Sequence, residues 1–160
     1  MALTDRIERL SGLLMAEKGF ERSEPDPAAL AGGDGDRAEP LRFVGTRRLW
    51  WGQAAIALVD ASGLDPAGIE RLVVGFFEFV YATRGSNGIS YGTLCVVFQA
   101  APPPAIIEYV RKLKRGADAN KVWVVSWTVD LSSGHVVPHR LWPWGLYPGR
   151  SYIERALRRS

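Results

Sequence analysis

The sequence predicts a single three-layer α/β domain, with a mixed sheet of about five strands flanked by helices, and three observations point to it. Lys121 to Asp130, KVWVVSWTVD, puts Trp123, Val125, Trp127 and Val129 on one side of a two-residue period and Val122, Val124, Ser126 and Thr128 on the other. Both sides can be covered, as in a strand at the centre of a sheet. From Trp51 onward, strand-like and helix-like patterns alternate, which favours parallel pairing through helical crossovers. The chain has 160 residues, 47% of them hydrophobic, and can bury one core without disulfides.

Thr4 to Lys18 reads as a helix, with Thr4 as N-cap, Ile7, Leu10, Leu13 and Leu14 as its apolar stripe, and Gly19 as its stop. This N-terminal helix fills residues 1–20. Residues 21–40 form an acidic loop rich in Pro and Gly, without periodicity. The α/β core spans 41–141. It opens with two strands, Leu41 to Arg47 and Trp51 to Val59, joined by a bend that exposes Arg47 and Arg48.

Asp65 as N-cap and Pro66 at the first helical position start a helix that runs to Thr83. Ile69, Leu72, Val73, Phe76, Phe77, Val80 and Tyr81 recur on its buried side. Gly85, Asn87 and Gly88 turn the chain into a strand from Tyr91 to Gln99. Prolines 102 to 104 then open a helix with Ile106, Ile107, Val110 and Leu113 inside. The run Arg111, Lys112, Lys114 and Arg115 sits at its carbonyl end, and Gly116 stops it. After Asp130, Ser132 to Gly134 makes a hairpin turn, and His135 to Val137 returns antiparallel as an edge strand marked by Pro138. Residues 142–160 hold an aromatic segment and a short helix from Tyr152, capped by Ser151 and Glu154.

The net charge of +3 is uneven, acidic in the first forty residues and basic in the last eighty. Helix-end placement accounts for much of the basic excess, and a nucleic-acid footprint is the alternative. The start, MALTDRIERL, carries charges where a signal core would need apolar residues. The apolar stretch Leu72 to Ala82 is too short to cross a bilayer, and Cys95 has no partner cysteine. A cytoplasmic location is the expectation these features set.

Asp60, Gln99 and Asp130 each follow an apolar run, so parallel neighbours would bring them to the carboxyl edge of the sheet, where open α/β folds bind ligands. Asp60 and Asp130, with Ser62 beside them, could then hold Mg²⁺ and orient a phosphate. Asp also ends strands simply because it favours turns, before ASG in one case and LSSG in the other.

The piece DASGL, Asp60 to Leu64, resembles part of the metal-binding loop of von Willebrand factor A domains. Asp60 and Ser62 match, and Leu64 stands where the family has a second serine. The resemblance implies cation ligands at Asp60 and Ser62. A nuclease core built on Gln99 would want a lysine two residues on, where Ala101 stands. His135 and His139, on a strand with Pro138, would lie over about 10 Å apart.

Arg140, Trp142, Trp144, Tyr147 and Arg150 are residue types favoured at binding hot spots, and a C-terminal lid whose tryptophans cover one edge of the core is the other reading of the same segment. The expectation is therefore a non-catalytic protein-interaction or assembly domain that uses this segment to hold a protein partner or a second copy. The alternatives are a metal-dependent phosphate or nucleotide enzyme using Asp60 and Asp130, and a nucleic-acid-binding domain. No cofactor is indicated beyond the Mg²⁺ that the enzyme reading would need.

Overall fold

The computed structural model describes residues 2–24, 41–50, 52–85, 88–117, 121–139 and 155–156. Among these residues the elements follow in the order α1 (Leu3–Lys18), β1 (Glu21–Arg22), β2 (Leu41–Leu49), β3 (Gly52–Asp60), α2 (Pro66–Thr83), β4 (Ile89–Phe98), α3 (Pro104–Val110), β5 (Lys114–Ala117), β6 (Val122–Asp130) and β7 (His135–Val137). The strands form one mixed sheet in the order β1-β2-β3-β4-β6-β5, with β7 also paired to β6. The mixed sheet flanked by helices is as expected, with seven strands among the described residues, slightly more than the expected five or so. The additions are β1, two residues long, and β5.

β2 and β3 pair antiparallel, while β3, β4 and β6 run parallel. The central strand is β4, and β6 is one place from the edge. Its outer side is shared, with β5 along Val122 to Val125 and β7 along Thr128 to Asp130. Helix α1 covers one face of the sheet. Its Ile7, Leu10 and Leu14 pack with Ile56, Leu58, Cys95, Val97, Trp127 and Val129. Helices α2 and α3 cover the other face, against Ala55, Ala57, Val59, Leu94, Val96, Val122 and Val124. The two-residue period of each strand produces this division, since alternate side chains go to opposite layers.

Helix α2 owes its stability to that packing. Ile69, Leu72, Val73, Phe76, Phe77 and Val80 are buried, each contributing about 1.5–3 kcal/mol before entropy is counted. Its start is fixed by the Asp65 carboxylate, which accepts from the Gly68 N–H at 2.7 Å, with Pro66 next in the chain. Gly19 ends α1 in the left-handed region, as its type suggests.

Three local expectations are corrected. Thr4 is not the N-cap of α1, because the helix already begins at Leu3 with Ala2 before it, which puts Thr4 inside the first turn. The bend placed at Arg47 and Arg48 lies further on: both residues are in β2, opposite Ala54 and Gln53, and the register closes at Leu49 and Gly52. The cations assigned to one helix end are divided, since α3 ends at Val110 and Lys114 and Arg115 belong to β5. The open side of β6 draws them into strand, beginning where the Ser126 N–H donates to the Leu113 carbonyl at 3.2 Å. Gly116 is then no helix stop but a close approach, because a Cβ there would fall 2.6 Å from Cδ1 of Trp123. The start predicted for the terminal helix lies outside the described residues. Residues 155–156 are helical, and Ala156 is buried against the α1 side of the core.

Candidate functional site

The parallel order β3-β4-β6 does bring the ends carrying Asp60, Gln99 and Asp130 to one edge of the sheet. It does not bring the two carboxylates together. Ile56 and Leu58 face α1, so Asp60, two residues on, leaves the sheet on the α1 side. Val122 and Val124 face α2, and Ser126, Thr128 and Asp130 follow them to that side. With β4 between their strands, the aspartates stand about 10 Å apart at the backbone and on opposite faces. One ion cannot reach both.

Each carboxylate is engaged where it stands. The Ser62 N–H donates to Asp60 Oδ1 at 2.8 Å, and Arg42 reaches Asp60 Oδ2 at 3.4 Å. Arg42 can do so because a bulge between Leu41 and Phe43 re-aims it. At Asp130, the Ser132 N–H and Oγ donate to Oδ1 at 2.8 and 2.6 Å, and Ser133 Oγ donates to Oδ2 at 2.7 Å. Burial alone would raise this carboxyl, but the bonds from the side chains and backbone of Ser132 and Ser133 outweigh it and hold it below the usual range.

The two exits are the same device used twice. In Asp60-Ala61-Ser62 and in Asp130-Leu131-Ser132, the Asp accepts from the N–H two residues on. The residue between donates its N–H to β4, from Ala61 to the Val97 carbonyl and from Leu131 to the Phe98 carbonyl. Gln99, past the end of β4, is exposed. Ser62, the third proposed ligand, meets Asp60 through its backbone. Among the described residues no three His, Cys, Asp or Glu side chains gather as metal ligands.

His135 is exposed at the β6–β7 turn, and its N–H donates to Ser133 Oγ at 3.2 Å. His139 is buried. Burial pushes it below the ordinary imidazole value against the opposing effect of a hydrogen bond to the Lys112 backbone, and Lys114 and Arg111 push the same way as burial. Cys95 lies wholly inside β4, where burial pushes its thiol up and away from the reactive thiolate. Arg140, Trp142, Trp144, Tyr147 and Arg150, the expected partner surface, lie outside the described residues.

The opposite edge of the sheet holds a residue that the sequence reading passed over. Trp50, at the β2–β3 turn, is 96% exposed. The LWWG stretch reads as the entry to a strand, and Gly52 was the signal of a turn: its φ of 157° and the 1.8 Å from a Cβ there to the Ile89 carbonyl oxygen admit no side chain. Compared with known proteins, the chain matches no family model, no curated protein and no solved structure. No helix among the described residues is long and apolar enough to cross a membrane.

Proposed function

We propose that the chain is a non-catalytic interaction or assembly domain whose C-terminal aromatic segment, with Arg140, Trp142, Trp144, Tyr147 and Arg150, holds a protein partner or a second copy. The observation that supports it most is where this segment begins and ends. In sequence it runs between two buried residues, His139 on the α3 side and Ala156 in the α1-side core, so both of its flanks are held by the domain. Three large rings and two arginines in such a segment supply the apolar area and the guanidinium donors that dominate binding energy at interfaces. The commitment of Asp60 and Asp130 to their own turns, on opposite faces, also favours a scaffold over a metal-centred active site.

The test is a double replacement, Trp142→Ala with Trp144→Ala, compared with the parent chain by sedimentation velocity over a range of concentrations and by partner capture. The complex should be lost while the melting temperature stays within about 2 °C. A double variant that still assembles would remove the segment as the contact. One that unfolds would assign the rings to the core.

A further inference from the structure

The register of β2 and β3 pairs Leu49 with Gly52, and Trp50 follows Leu49 in the turn between the two strands. Two-residue hairpin loops favour Asn, Asp and Gly, which reach the required backbone conformations and are content in water. A tryptophan here gains nothing for the hairpin, and Trp50 presents almost its whole ring to solvent. Local sequence that opposes local structure in this way is expected at positions kept for function.

The charges around the ring narrow the partner. Arg47 and Arg48 are consecutive in β2, so they project to opposite faces of the hairpin. Arg47 is opposite Ala54 of the α1-side core; Arg48 is opposite Gln53, whose amide reaches Thr83 of α2. The ring thus stands at a convex tip with a guanidinium on each side, set back two and three residues, about 7–10 Å. Arg84 at the end of α2 and Lys121 at the start of β6 add positive charge along the same rim, and Glu21, opposite Thr46 on the neighbouring strand β1, is an acid beside it.

We infer that the β2–β3 tip docks on an anionic membrane surface, Trp50 entering among the headgroups while Arg47 and Arg48 meet lipid phosphates on either side. A tryptophan ring is at home at the headgroup level, where its apolar body is covered and its N–H stays wet. Juxtamembrane cations add attraction to anionic lipid. A nucleic-acid strand following one face of the hairpin would engage one arginine and leave the other idle, whereas a plane across the tip engages both. This contact uses residues other than those of the C-terminal segment, and the two readings can fail independently.

The experiment is flotation with vesicles of phosphatidylcholine alone and with 30% phosphatidylserine, at low and physiological salt. The parent chain should float with the anionic vesicles, less so as salt rises, and hardly with the neutral ones. Trp50→Ala should weaken partitioning about tenfold, and Arg47→Glu with Arg48→Glu by about tenfold or more, with unchanged melting temperatures because these groups lie outside the core. The Trp142→Ala, Trp144→Ala variant should float like the parent. Absence of flotation by the parent chain, or equal flotation of Trp50→Ala, overturns the inference. So does retention of a single-stranded oligonucleotide that depends on Trp50 when the vesicles are not bound.

Discussion

Replacing Asp130 separates a turn-forming carboxylate from a ligand-holding one. The alanine variant removes the acceptor of three hydrogen bonds, from the Ser132 N–H, Ser132 Oγ and Ser133 Oγ. A hydrogen bond to a charged group is worth about 1.5–3 kcal/mol net, but these share one acceptor and the freed hydroxyls can turn to water, so the total should be about 2–3 kcal/mol. In a chain of this length each kcal/mol moves the melting temperature by about 2–4 °C, which gives a drop of about 4–12 °C at pH 7. Asp130→Asn keeps an acceptor for Ser132 and loses the one for Ser133, so it should lose about half as much.

The same pair of variants carries a pH signature. The folded carboxyl lies below its unfolded value of 3.8, so its contribution is complete above that pH and disappears as pH falls through the folded value. The gap between parent and Asp130→Ala, measured by circular-dichroism melts, should be widest near neutrality and close in acid. An alanine variant melting within about 1 °C of the parent, or an asparagine variant as damaged as the alanine one, would refute the turn role.

Other outcomes follow from the same geometry. Millimolar Mg²⁺ or Mn²⁺ should leave the melting temperature unchanged, because the aspartates cannot share an ion; a saturable rise would contradict their placement. Gly92→Ala should cost about 1–3 kcal/mol in a denaturant titration, since its Cβ would lie 2.7 Å from Val124 Cγ2 and 2.9 Å from Phe76 Cε1. His139 is held below its usual value, so the unfolded chain takes up the proton first, and stability should fall as pH drops below about 6.5. His139→Gln should flatten that slope in melts between pH 7.5 and 5.5.

Elements with a long, regular pattern were legible from the sequence. The stripe of α2 and the alternation of β6 each state a period and a partner layer, and Asp65-Pro66 marks a helix start through local chemistry. What escaped depends on neighbours distant in sequence. Lys114 to Ala117 follow an apolar helical pattern and differ from it only because β6 offers an unpaired edge, a fact carried by residues 122–125. The position of the β2–β3 turn depended on register, and Gly52 defines it through its closeness to Ile89 of β4. Even the central place given to β6 was a question of order, since β4 is as apolar and lies between two parallel neighbours.

The candidate site was legible in a similarly partial way. That Asp60, Gln99 and Asp130 share an edge follows from three parallel strands, but whether two carboxylates meet there turns on strand parity relative to the core. Counting from Leu58 and from Val124 sends them to opposite layers. The shared Asp-x-Ser spacing is the better sequence signal, because it describes a turn that consumes the carboxylate, and both copies are built so. An edge whose acidic groups are spent on closing the strands offers little charge to a ligand. The far edge, where a hairpin turn holds tryptophan in place of the small residues such turns favour, is where the chain departs from what folding alone requires.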